Sequence, residues 1–111
     1  MKKIEAIVRT AKLEPLKEAL FQAGVKGMTV SEVQGCGSQH GKEYFRGSEV
    51  MVNTVPKIKF EVVAEDDAVE TLVETIASVA RTGAVGDGKI FVSPIGEVVR
   101  IRTSQRGPEA V

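Results

Sequence analysis

The sequence predicts an α+β fold of the ferredoxin-like kind, a βαββαβ sandwich with both helices on one face of a sheet. Three observations predict it. Apolar residues recur with period two in several short segments and with helical spacing in two longer ones. The order is strand–helix–strand twice over, a split βαβ arrangement. The chain has 111 residues, enough for one domain and its core.

Each element follows from its pattern. "KKIEAIVR" alternates Ile4, Ala6 and Val8 against Glu5, Ile7 and Arg9, which reads as a strand. "KLEPLKEALFQAG" changes to helical spacing, with Leu13, Leu16, Leu20 and Ala23 on one stripe. Pro15 suits the first turn and Gly24 is placed to stop the helix. "GMTVSEVQG" is a second strand, and "PKIKFEVVA" a third, with Ile58, Phe60 and Val62 on one face. "EDDAVETLVETIASVARTG" is the second helix, its buried stripe running through Val69, Leu72, Val73, Ile76 and Val79 or Ala80. Glu65, Asp66 and Asp67 read as capping at its N-terminus, where carboxylates are favoured, and Arg81 falls in its last turn. "KIFVSPIGEVVRIRT" gives a short strand, a turn at residues 94–96 and more extended sequence, in which Val98, Arg100 and Arg102 share one face. Residues 35–55 show no period and form a long loop of the functional or mobile kind.

Composition excludes several classes. Lys and Arg balance Asp and Glu at 15 each, so no global field draws the chain to nucleic acid or to an acidic lipid surface. One cysteine and one histidine exclude a disulfide framework and a zinc ligand set. No stretch has the length of a membrane span, and "MKKIEAIV" lacks the features of a signal peptide, so a cytoplasmic protein is expected.

The chemistry concentrates in two glycine clusters. In "GAVGDGKI", Gly83, Gly88 and Lys89 have the spacing of a nucleotide-hydrolysing P-loop, but Ile90 stands where its hydroxyl should be. The context is reversed as well, because this loop follows a helix and opens a strand. Two readings remain for it: a helix stop followed by a tight turn, or a backbone nest that holds an anion beside Lys89. The second cluster, "GCGSQHG", contains Gln39, and with Arg100 and Arg102 it points to a bound nucleotide. His40 reads as solvated, and Cys36 has no partner that would make it a nucleophile.

These residues bear a resemblance. "TGAVGDGKIFV" and "VVRIRT", with "KKIEAIV", "GMTVSEVQG" and "RGSE" followed by "VPKIKFEVV", make the chain resemble the PII signal-transduction proteins over essentially its whole length. The resemblance implies a single domain, residues 1–111, that assembles as a compact homotrimer and is not an enzyme. Its parts would be a T-loop at about 37–55, a phosphate loop at about 82–89 and a C-terminal loop at about 102–111. ATP and ADP would compete in clefts between subunits, with Mg2+ and 2-oxoglutarate joining ATP at the T-loop base. Gly86, Asp87, Gly88 and Lys89 would hold phosphates, helped by Arg100 and Arg102 across the cleft. Ile7, Gly27, Met28, Thr29, Gly35, Glu61 and Val63 would surround the nucleoside end, and Cys36, Gly37 and Ser38 would complete the nucleotide set. Gln39 would be the magnesium ligand, and Gln39, Gly41 and Lys57 would meet 2-oxoglutarate. The T-loop, through Tyr44, Phe45 and Arg46, would bind an ammonium channel or another nitrogen-related transporter or enzyme, which would bring the protein to the membrane.

The chain departs from the family pattern at several points. The usual K-P-F-K-L is "RTAKL", with Thr10 and Ala11 in place of Pro and Phe. The usual G-F-G-R-Q-K-G is "GCGSQHG", in which Ser38 replaces an arginine that would meet the terminal phosphate. The T-loop is one residue shorter, and the tyrosine nucleotidylated in many relatives falls at Val50. Tyr44 does not align with it, whereas Ser48 aligns with a serine phosphorylated in cyanobacterial relatives. These departures leave a second reading, a paralogue that senses adenylates without 2-oxoglutarate and serves another transporter or a nitrogen-fixation enzyme. A small ATP-hydrolysing enzyme of the same fold is a third.

Overall fold

A computed structural model describes residues 1–36 and 54–111, together with the backbone of two short strands between them. In chain order the elements are β1 (Lys2–Arg9), α1 (Leu13–Gln22), β2 (Thr29–Gly35), the short strands β3 (Glu43–Phe45) and β4 (Ser48–Val50), β5 (Val55–Ala64), α2 (Asp66–Ala80) and β6 (Gly88–Pro94). The main sheet has four strands in the order β2-β5-β1-β6, and its neighbours are antiparallel. Each helix therefore connects two strands that a third strand separates, the ferredoxin-like topology.

Strand alternation decides which face the helices cover. Ile4, Ala6 and Val8 of β1 and Ile58, Phe60, Val62 and Ala64 of β5 are buried together. Leu16 and Leu20 of α1 and Leu72, Ile76 and Ala80 of α2 close over them. Removing these side chains from water is the main stabilising term of such a two-layer domain. The opposite face of β1 and β5 carries charges instead. There Lys3 meets Glu5 at 2.8 Å and Glu61 at 3.7 Å, while Lys59 meets Glu61 at 3.2 Å. Its bond to Lys3 lowers the Glu5 carboxyl, and the same bond raises the Lys3 ammonium.

The helix ends refine the sequence expectations. Gly24, at φ +96°, closes α1: its N–H donates to the Phe21 carbonyl at 3.0 Å and that of Val25 to the Leu20 carbonyl at 3.1 Å. This paired pattern is the Schellman stop. It leaves Ala23 as the exposed cap rather than part of the buried stripe. Arg81 likewise lies just beyond α2, in extended backbone. At the start of α2 no side chain caps the helix. Asp66 takes the Met1 ammonium at 2.9 Å and Lys2 at 3.8 Å, which hold its carboxyl below the ordinary range.

Two segments differ from the reading of the sequence. Residues 35–55 are not one aperiodic loop, because β3 and β4 pair antiparallel, Phe45 opposite Ser48. Arg46 and Gly47 stand between them in sequence, and a glycine at a two-residue connection was the available signal. The last segment is not a strand with two arginines on one face. It leaves the sheet after Pro94 and folds back on itself: the Arg100 N–H donates to the Gln105 carbonyl at 2.9 Å and the Gly107 N–H to the Val98 carbonyl at 3.0 Å. Thr103 supports this return, its hydroxyl oxygen accepting the Gln105 N–H at 3.2 Å. Alternation alone could not tell a sheet strand from a segment that pairs with its own return. No helix among the described residues is long and apolar enough to cross a membrane.

Candidate functional site

Residues 81–87 connect α2 to β6, and Gly83 and Gly86, with Gly88 at the start of β6, let the chain turn. Gly83, Gly86 and Gly88 have φ of +90°, +99° and +110°, a region that other residues avoid. Gly88 also lies against β1, where a Cβ would fall 1.7 Å from the Ile7 carbonyl oxygen. The loop is drawn together by Asp87. One carboxylate oxygen accepts the N–H groups of Thr82 at 2.8 Å and Gly83 at 2.9 Å. The other accepts the Thr82 hydroxyl and, at 3.1 Å, Arg9 Nε.

Those bonds favour the charged form, so the Asp87 carboxyl lies well below the usual carboxylate range; the Thr82 hydroxyl is the largest cause, followed by the Thr82 and Gly83 N–H groups and Arg9. The sign follows from linkage. A carboxyl depressed in the folded state contributes its stability in full above its unfolded value of about 4, and loses it as the pH falls toward the folded value. Asp87→Asn is therefore expected to flatten the acid limb of a plot of stability against pH. Denaturant midpoints measured between about pH 2 and 7 check this, and acid limbs that run parallel in the two proteins would contradict it.

Two cations from the end of the sheet hold the loop. Arg9 and Lys57 lie directly opposite one another on β1 and β5, a like-charged pairing that is unfavourable unless other groups take up the charge. Both side chains turn to the glycine loop. Besides Asp87, Arg9 reaches the Val85 carbonyl, which accepts Nη2 at 2.7 Å. Lys57, only 9% exposed, donates from Nζ to the Gly86 carbonyl at 2.5 Å. Gly35 makes room for it, since a Cβ there would stand 3.0 Å from Lys57 Cγ. The base of the long loop and the glycine loop thus meet through one lysine.

Two concavities take up most of the remaining residues of interest. A cavity of about 230 Å³ is lined by Ile7, Asp87, Gly88 and Lys89 together with Ile76 and Ala80. A larger one of about 700 Å³ is lined by Gly27, Met28, Thr29, Glu61 and Val63, together with Val98, Pro108 and Val111. They lie at opposite ends of the sheet: Gly88 pairs with Val8, and Ala64 with Lys2. Roughly 20 Å of strand separates those ends, at about 3.3 Å per residue. Arg100 is bonded to Gln105 Oε1 at 3.0 Å within the C-terminal return, and Arg102 is exposed beside it. Neither lines a cavity with Lys89. One chain therefore brings Ile7, Lys57 and residues 86–89 toward one end and Gly27, Met28, Thr29 and Val63 toward the other, with Glu61, opposite Glu5, in mid-strand between them.

Cys36 is exposed at the end of β2. Gly37, Ser38, Gln39, Gly41 and Arg46 lie outside the described residues, and so does the magnesium expectation placed on Gln39. Tyr44, Phe45 and Ser48 belong to the β3–β4 ribbon. Sequence reasoning missed Arg9 and Thr82, whose contacts with the loop depend on strand register, and the tail residues Pro108 and Val111.

Comparison with known proteins identifies the family. The family model described as "Nitrogen regulatory protein P-II" matches residues 1–105. Among similar proteins, the nitrogen regulatory protein P-II of Azospirillum brasilense is 54% identical, and that of Mesorhizobium japonicum 56% identical. Nitrogen regulatory protein P-II 1 of Escherichia coli K12 is 50% identical. Each alignment covers 100% of both chains.

Proposed function

The chain belongs to the nitrogen regulatory protein P-II family, and from that membership we propose that it is a signal-transduction protein that senses ATP and ADP, with 2-oxoglutarate, and regulates a nitrogen-related target. The nucleotide sits in a cleft that a second copy completes, within a homotrimer. The observation that carries this reading is the division of the site. The glycine loop with Lys89 lines one cavity and Gly27, Met28 and Thr29 line another toward the other end of the sheet, while Arg100 and Arg102, in the C-terminal return, line neither. A single nucleotide meets both only between copies placed head to tail, the arrangement that closes into a ring.

Sensing rather than turnover is supported by Asp87, whose two carboxylate oxygens are engaged by Thr82, Gly83 and Arg9 instead of being available as a base. The output runs through the long loop, with Tyr44, Phe45 and Arg46 meeting an ammonium channel or another nitrogen-related transporter or enzyme. A second reading, adenylate sensing without 2-oxoglutarate, is favoured by Lys57. Its ammonium is nearly buried and already bonded to the Gly86 carbonyl, so an incoming carboxylate has to draw it away.

Calorimetric titration separates the readings. ATP and ADP are expected to compete for one site per chain, and 2-oxoglutarate is expected to bind only when Mg-ATP is present. Adenylate binding that is indifferent to 2-oxoglutarate would establish the second reading, and sustained phosphate release would replace both with an enzyme.

A further inference from the structure

We propose that Arg9 is a positioning residue of the glycine loop: from the end of β1 it clasps Asp87 and the Val85 carbonyl, and so presents residues 86–89 to a phosphate group that it does not itself touch. The inference rests on the nucleotide reading above.

The observations are geometric. Arg9 makes two bonds to the loop with different nitrogens, Nε to Asp87 Oδ1 at 3.1 Å and Nη2 to the Val85 carbonyl at 2.7 Å. A planar guanidinium can serve two acceptors at fixed separation, which a single ammonium cannot reproduce. The same Nη2 lies 3.3 Å from the place a Gly86 Cβ would occupy, so the guanidinium packs directly beneath the turn. The loop has little apolar surface with which to order itself, as Val85 is 70% exposed. A loop held in its binding conformation beforehand loses less entropy when the ligand arrives.

Charge supplies the second half of the case. A carboxylate inside an anion-binding loop repels the anion unless a cation neutralises it. Asp87 is that carboxylate, and among the described residues its ion-pair partner is Arg9. The pair is only partly exposed, at 33% and 23% for its two side chains, so solvent screens it incompletely. Removing Arg9 therefore acts twice, loosening the turn and uncovering the Asp87 charge.

The test compares wild type, Arg9→Met, Arg9→Lys, Asp87→Asn and the double variant Arg9→Met/Asp87→Asn by ATP titration. Hydrogen exchange at the amides of Thr82, Gly83 and Ala84 is followed in the absence of nucleotide. Arg9→Met is expected to weaken ATP binding about tenfold, a coupling typical of contacting groups in one network. Asp87→Asn, which removes the charge and keeps an acceptor oxygen, is expected to restore most of that loss in the double variant. Arg9→Lys keeps the charge and is expected to speed exchange at the three amides. An equal loss of affinity with and without the Asp87 charge would mean that Arg9 meets the nucleotide directly, and would overturn the inference. Unchanged exchange in both Arg9 variants would overturn it without touching the nucleotide reading. A wild-type chain that binds no ATP overturns the nucleotide reading, and the inference with it.

Discussion

Gly88→Ala is expected to be severely destabilising. Two independent penalties meet at this position. Its backbone, at φ +110°, is one that L side chains rarely adopt, which costs about 1–3 kcal/mol. The new methyl group would also fall 1.7 Å from the Ile7 carbonyl oxygen and 2.8 Å from its carbon. Those are backbone atoms of the central strand, so no side chain can swing aside. Relief requires β6 to move away from β1, which disturbs the pairing of Gly88 with Val8 and of Lys89 with Ile7. Overpacking of this kind adds about 1–3 kcal/mol. A total of about 3 kcal/mol or more lowers the melting temperature by roughly 12–24 °C at fixed protein concentration. Gly83→Ala is the control. Its φ is +90°, but a Cβ there meets nothing within 4 Å, so its cost is confined to about 1–2 kcal/mol of backbone strain. Thermal melts that rank the two variants equally would show that the close approach of β6 to β1 is not what requires glycine at position 88.

Lys89→Ala and Arg102→Ala are each expected to weaken ATP binding while leaving the fold intact. Both side chains are exposed and belong to no part of the core, so their removal changes folding stability by no more than about 0.5 kcal/mol. A charge-assisted bond to phosphate contributes about 1.5–3 kcal/mol, or roughly 10- to 150-fold in affinity. The two losses should be similar, although the two residues line no cavity together in one chain. Calorimetry with unchanged affinity in both variants would return the glycine loop to the status of a structural turn.

The fold was legible because its signals are local. Period-two alternation in Ile4, Ala6 and Val8 and helical spacing in Leu16 and Leu20 report burial directly, and the structure buries those residues. The site was less legible, for a physical reason. Arg9 and Lys57 are 48 residues apart, and only the antiparallel register of β1 with β5 sets them side by side beneath the glycine loop. No short window contains that information. The C-terminal return misled for a related reason, since "VVRIR" alternates as a strand does but pairs with its own continuation through Val99 and Arg106. Family resemblance carried the remaining site residues, because motif spacing says nothing of which chain supplies each half of a shared cleft.

That division of labour between copies is the central claim, and mixing two damaged proteins tests it directly. Lys89→Ala removes the phosphate grip of the glycine loop, and Arg102→Ala removes that of the C-terminal return. When the two variants are combined in equal amounts and allowed to exchange subunits, about a quarter of the clefts in a closed ring receive an intact half from each parent. ATP titration of the mixture is then expected to show a class of sites, about a quarter of the total, with wild-type affinity that neither parent possesses. If the mixture binds only as the sum of its two parents, each site is built within a single chain, and the cleft between copies is not where this protein holds its nucleotide.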